Sequence, residues 1–187
     1  MAGEVIAVAL PEPALTAGGL WLRTWRDDDA QVVLAAGRDE LISRYRYSLP
    51  RTNLDAQRWI TRTHTDRLAG ARLELAIVEQ RAAVGSVALA DIVSGNATIR
   101  YWLLPQGRGR GLATRSVGLL SEWAFVTLGL GRVAAFTELN NHASRAVLER
   151  CGFVREALLR QHLIDHDDNR VDTLLYRLLP QDISSSS

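Results

Sequence analysis

Apolar and polar positions alternate from Leu20 to Arg26, with Leu20, Leu22 and Thr24 on one side and Trp21, Arg23 and Trp25 on the other. That period of two predicts a strand. Asp27-Asp28-Asp29 then reads as a capping cluster ahead of Ala30, Val33 and Leu34, whose spacing marks a helical face. Capping is preferred over a metal role for these carboxylates. Thr52-x-x-Asp55 has the form of a capping box, and Ala56, Trp59 and Ile60 continue it as the buried face of a second helix. Leu73 to Glu79 and Val84 to Asp91 form two apolar, β-branched runs around Gln80-Arg81-Ala82, a hairpin pattern. Ser94-Gly95-Asn96 makes the next turn, and Thr98 to Leu104 the next strand. From Ala113, the positions Val117, Leu120, Ala124 and Leu128 recur at helical spacing until Gly129 and Gly131. Val133 to Thr137 is a strand, Asn141 to Cys151 a helix closed by Gly152, and Phe153 to Arg160 and Val171 to Leu178 the last strands. Residues 1–19 are expected to be an irregular leader, 20–180 a single domain, and 181–187 a flexible tail.

Between the strand ending at Leu104 and the helix beginning near Leu112 lies Pro105-Gln106-Gly107-Arg108-Gly109-Arg110-Gly111, a turn whose glycines leave backbone N–H groups open beside a helix N-terminus. Such a turn suits a pyrophosphate. A P-loop is excluded because the chain contains no Lys, and the dinucleotide fingerprint fails because its third Gly would fall on Leu112 or Thr114. Two other registers remain, Arg108-x-x-Gly111-x-Ala113 and Gln106-x-x-Gly109-x-Gly111; the first is preferred because it puts Ala113 on the helix.

The first register resembles the (Gln/Arg)-x-x-Gly-x-(Gly/Ala) acetyl-coenzyme A loop of the GNAT acetyltransferase superfamily. Asn141-His142-Ala143-Ser144 and the following Cys151-Gly152-Phe153 resemble the Asn-x-x-(Ser/Ala) … Gly-Phe segment that closes the same site. The Tyr101-Trp102 strand ending, the Arg-Gly-Arg-Gly-x-Ala-Thr loop and Glu156 after Gly-Phe are similar to the branch containing ribosomal-protein N-terminal acetyltransferases. Arg100 departs from it, since many relatives have Gly before Tyr-Trp.

This resemblance implies an α/β (α+β) fold: a mixed, mostly antiparallel sheet of about seven strands, flanked by about four helices and splayed between its fourth and fifth strands. It implies acetyl-CoA as cosubstrate and no metal. Tyr101, Trp102 and Leu103 are expected to line the gap for the pantetheine arm, with the Leu103 amide donating to the thioester oxygen. Arg108, Gly109, Arg110, Gly111, Leu112, Ala113 and Thr114 are expected at the pyrophosphate, with Arg115 as a further cation. Asn141 is expected on pantetheine or as a helix cap, and Ser144 on the leaving sulfur or as a capping residue. Tyr45, Tyr47 and Arg100 are the candidate acceptor contacts, although packing explains the tyrosines equally well. Many relatives carry a Tyr where this chain has Leu148, and some carry a Glu base where it has Phe136. Glu138 is the substitute base, with Asp91 or water as alternatives. His64, His142, His162 and His166 are read as surface or packing residues, and Cys151 as a small buried hydrophobe.

Composition narrows the picture without redirecting it. A net charge of +1 argues against a nucleic-acid surface, and all 22 basic residues are Arg, which excludes a catalytic Lys. One Cys forbids an internal disulfide, no apolar run reaches bilayer length, and Glu4 stands where a secretory signal carries positive charge. The expectation is a cytoplasmic, acetyl-CoA-dependent N-acetyltransferase acting by direct attack, with a protein N-terminus or an amine-bearing small molecule as partner and no membrane or nucleic acid. A homodimer is in keeping with the family. The alternatives are a small-molecule acetyltransferase and a non-catalytic acyl-CoA sensor.

Overall fold

The computed structural model describes residues 7–45, 49–165 and 167–184. Among these residues, eight strands form one sheet in the order β1-β2-β3-β4-β5-β6-β8-β7. They are β1 (Leu15–Ala17), β2 (Leu20–Thr24), β3 (Leu73–Glu79), β4 (Ala82–Val93), β5 (Asn96–Leu103), β6 (Arg132–Glu138), β7 (Val154–Ile164) and β8 (Arg170–Leu178). The helices are α1 (Ala30–Arg38), α2 (Glu40–Arg44), α3 (Asn53–Leu68), α4 (Leu112–Val126), α5 (His142–Arg150) and α6 (Pro180–Ser184). The expected strand and helix order is present, with a short extra strand and two short extra helices.

The additions sit where the sequence pattern is shortest. Leu15–Ala17, inside the stretch expected to be irregular, pairs antiparallel with Leu20–Leu22. Its anchor is tertiary, because Arg115 of α4 donates to the carbonyls of Ala17 and Gly18, each at 3.0 Å. The short helix α2 is started by the Asp39 carboxylate, which accepts from the Ile42 N–H at 2.9 Å. Pro180–Ser184, at the start of the expected tail, is helical. Asp29 departs from a simple cap: its carboxylate takes Arg23 at 2.6 and 2.9 Å and the Arg26 N–H at 2.9 Å, tying β2 to the entry of α1.

Two apolar clusters cover the two faces of the sheet. Leu20, Leu22, Leu75, Ile77, Val87 and Leu89 pack with Val117, Leu120 and Ala124 of α4 and Leu148 of α5. On the other face, Ala76, Val78 and Trp102 pack with Val33 and Ala36 of α1 and Ile60 of α3 around Trp25. Trp25 stacks on Trp102 at 5.9 Å and meets the edge of Trp59 at 5.3 Å. Because both faces are covered, β3 is buried along its length rather than alternating: all its residues but Glu79 are buried, and Glu74 among them is paired with Arg72 and Ser86.

The functional consequence lies in the middle of the sheet. β5 and β6 run parallel and pair only from Asn96 to Thr98 against Arg132 to Ala134. Beyond Thr98 the β6 ladder ends, while the β4 ladder continues to Leu103. The expected splay is this opening.

Candidate active site

A cleft of about 940 Å³ fills the opening between β5 and β6. It is lined at one end by Gly109, Gly111 and the first turn of α4, and at the other by Tyr45, Phe136, Glu138 and His162. The two ends are built differently.

The first end is backbone. Gly109 and Gly111 both have φ of +71°, and a Cβ built on either meets nothing within 4 Å. These positions therefore need glycine for conformation, and they face open space. Gly111 is the N-cap of α4, and the first helical bond runs from Arg115 N–H to Gly111 C=O at 3.1 Å. The amides of Leu112, Ala113 and Thr114 precede that ladder and emerge at the positive end of the helix dipole. Ala113 lies on the helix, as the preferred register requires.

The arginines of this loop are occupied with the protein. Arg108 donates through Nε to the Leu103 carbonyl at 2.9 Å and through a terminal nitrogen to Asp39 at 2.6 Å. Arg110 pairs with Glu79 at 2.5 Å, and Arg115 holds the β1 turn. Burial pushes the Asp39 carboxyl up, but the Arg108 hydrogen bond and the Ile42 N–H outweigh it and hold the group below its ordinary value.

The strand edge follows from pleating. The Leu104 N–H donates to the Val84 carbonyl at 2.9 Å, toward β4. One residue back, the Leu103 amide and carbonyl must face the opposite side, into the splay. Arg108 covers that carbonyl and leaves the amide at the cleft wall. Trp102 points to the second core, at 5% exposure, and Tyr101 to the α5 face.

The Tyr101 hydroxyl lies 2.8 Å from the Ser144 hydroxyl and 3.2 Å from the Ser144 carbonyl. Asn141 caps α5, its side-chain oxygen accepting the Ser144 N–H at 3.0 Å. Leu148, at the position where many relatives carry a Tyr, is 1% exposed and belongs to the main core. A phenol therefore reaches Ser144 from β5 rather than from α5. That pairing spans 43 residues and no local spacing announces it.

The second end is made of side chains. Tyr45, just after α2, has its phenol pushed up by burial and by the Glu138 charge, with Arg44 acting against them. Glu138 lies on the wall. Arg100 also lines the cleft but pairs with Asp91 at 3.1 Å, and Asp91 is outside the lining. Tyr47 and His166 lie outside the described residues. His64 is structural, with Nε2 3.0 Å from the Trp25 carbonyl, and His142 is an exposed first residue of α5. Cys151 sits against the Thr114 carbonyl, and burial pushes its thiol up to about 11, which leaves it unreactive. His162 is, as expected, an exposed residue that also packs. It stacks on Phe136 at 5.2 Å, faces the cleft, and has Nδ1 2.9 Å from the Thr173 hydroxyl.

Comparison with known proteins agrees with this geometry. A 36% identical stretch of 92 residues matches the Bacillus subtilis protein named "Putative ribosomal N-acetyltransferase YdaF", covering 49% of this chain and about half, 50%, of that protein. RimJ of Mycobacterium smegmatis, solved in complex with CoA-disulfide, superposes with a TM-score of 0.81 at 22% identity, over 88% of this chain and 83% of that one. The microcin C7 self-immunity acetyltransferase MccE, solved with acetyl-CoA and AMP, gives 0.80 at 20% identity over 89% and 99%. At these identities the two solved structures speak for the fold. Residues 19–154, most of the chain, match the family model described as "Acetyltransferase (GNAT) domain", and the chain therefore belongs to the GNAT acetyltransferase family.

Proposed function

We propose that this acyltransferase moves an acetyl group from acetyl-CoA to an α-amine, by direct attack with both substrates bound. The observation that carries the reading is the backbone cradle of Gly109 and Gly111, which opens onto the stretch of β5 that has left the β6 ladder. Acetyl-CoA fits this site: the glycines face open space, the α4 amides suit a pyrophosphate, and the splay accepts an extended arm. When bound, it supplies an activated acyl carbon on a thiol leaving group.

The chain's own residues then divide the work. The Leu103 amide is aimed where negative charge grows on the carbonyl oxygen, and Arg108 keeps it there by fixing the Leu103 carbonyl. Ser144 donates to the departing sulfur, and its bond to Tyr101 lets the phenol replace that proton. A thiol has a reference pKa near ~8.5, so this modest assistance is sufficient.

An α-amine has a pKa of about 7.7–8.0 against about 10.4 for a lysine side chain, so near neutrality far more of it is free base. Phe136 and Leu148, in place of stronger acid–base groups, favour the less basic nucleophile. Thiol release with N-terminally free peptides, N-blocked lysine peptides, amino acids and aminosugars tests this. The expected order places α-amines ahead of lysine by about a hundredfold, and a preference for the N-blocked lysine peptides overturns the reading. The likeness to MccE keeps a small-molecule acceptor as the second reading, and amino acids outrunning every peptide would select it.

A further inference from the structure

The pairing of β7 with β8 shifts register twice, once between Arg155 and Ala157 and again, by more residues, between Leu159 and Leu163. Leu159 is opposite Thr173 and Leu163 is opposite Val171, so Arg160, Gln161 and His162 face Asp172 alone. This is a bulge of the kind that re-aims a side chain. Gln161 takes the left-handed conformation, with φ of +49°, although it is not glycine. The distortion is pinned at several points. Asp172 accepts the Gln161 N–H at 2.9 Å and Arg160 at 2.7 Å, while Arg170 donates to the Gln161 carbonyl at 3.1 Å. Its product is the placement of His162 against Phe136 and the Thr173 hydroxyl, on the cleft wall.

We infer that the bulge delivers His162 as the catalytic base, with Nε2 turned to the acceptor amine and Nδ1–H held by Thr173. The inference rests on the acetyltransfer reading above. Thr173 is fully buried at 0% exposure, and its hydroxyl meets the imidazole at one nitrogen only. With Nδ1 carrying the proton, the Nε2 lone pair belongs to the cleft. Phe136 supports the ring from behind and cannot compete for a proton.

The proton count closes. Nε2 takes one proton from the acceptor ammonium and passes it to solvent. The neutral nitrogen forms the C–N bond as the acyl carbon's C–S bond breaks, and it loses a second proton. That second proton balances the one the sulfur gains through Ser144. The charged groups around His162 do not repeat this role. Asp172, Arg160 and Arg170 are engaged with the bulge; Glu138 on β6, Arg100 on β5, Arg150 on α5 and the phenol of Tyr45 line the same cleft. Glu138 is the rival base, and the experiment includes it.

His162→Gln, Thr173→Val and Glu138→Gln are compared with the unaltered protein, each first checked for folding by its melting curve and for coenzyme A binding by calorimetry. His162→Gln is expected to bind coenzyme A as the parent does and to lose about a hundredfold in kcat/KM for a peptide α-amine. With a hydrazide acceptor, already uncharged at the assay pH, the loss should shrink to a few-fold. Nitrogen-15 NMR of the unaltered protein should show neutral His162 protonated on Nδ1, and Thr173→Val should abolish that preference. Parental kcat/KM in His162→Gln, a loss of that size in Glu138→Gln instead, or a proton on Nε2 each overturns the inference. If the unaltered protein neither binds coenzyme A nor releases thiol with any amine, it is the acetyltransfer reading that falls, and the NMR result still decides the tautomer.

Discussion

The two ends of the cleft are assembled from different materials. Gly109, Gly111 and the first turn of α4 present backbone amides from one continuous stretch of chain. At the acceptor end, Tyr45, Glu138 and His162 come from three separate elements and present side chains. A backbone site depends on a local conformation, whereas a side-chain site depends on tertiary register. The first should fail through one glycine, and the second should erode by degrees.

The largest effect is therefore expected at Gly111. A β-branched residue at φ of +71° strains the turn, and its methyl groups enter the space open to the pyrophosphate. Gly111→Val should lose at least a hundredfold in coenzyme A affinity by calorimetry, with a cost in stability of only about 1–2 kcal/mol. Parental affinity in the folded variant would break the contrast between the two ends.

That contrast also explains what could be read from the chain. The cradle was legible because glycine spacing, the strand before it and the helix after it are all local, and the strands from Leu73 to Leu103 declared themselves by composition and turn residues. β1 was not legible, because three residues between Pro13 and Gly18 have no period to read and their anchor, Arg115, lies far along the chain. Nor was the extension of β7 beyond Arg160, since Arg160-Gln161-His162 looks like a loop until Asp172 and Arg170 make it a bulge. Tyr101 lines the cleft, but its contact with Ser144 was not legible, because it depends on how α5 packs beside β5. The arginines of the cradle mislead for the same reason: Glu79 and Asp39, which hold Arg110 and Arg108, are distant in sequence.

A middle-sized effect is expected where the two ends meet, at Tyr101 and Ser144. If the hydroxyls form one relay, Ser144→Ala and Tyr101→Phe should each lower kcat by about ten- to a hundredfold and leave coenzyme A affinity alone. The double variant should be little worse than either single one, because residues acting as a unit are not additive. Additive losses, or a fall in melting temperature with turnover per folded molecule unchanged, would assign Ser144 to the helix start alone.

The smallest effect concerns Asp39, which connects the ends through Arg108 and the Leu103 carbonyl. Its carboxyl is held below the ordinary value in the folded chain, so the ionised form favours folding. The sign follows: this stabilisation is complete above the unfolded value of about 3.9 and is lost as pH falls through the lower folded value. The pair is partly exposed, with side-chain accessibilities of 31% and 12%, which limits its contribution to about 1 kcal/mol, or about 2–4 °C in a domain of this size. Asp39→Asn should therefore melt a few degrees lower at pH 7, and the gap should close in acid. The same variant frees Arg108 from one of its two anchors, so kcat should fall by a few-fold while coenzyme A affinity holds. A melting gap that persists at low pH would mean the loss is one of packing at the start of α2 rather than of charge, and an unchanged kcat would mean the Leu103 amide keeps its aim without the Asp39 anchor.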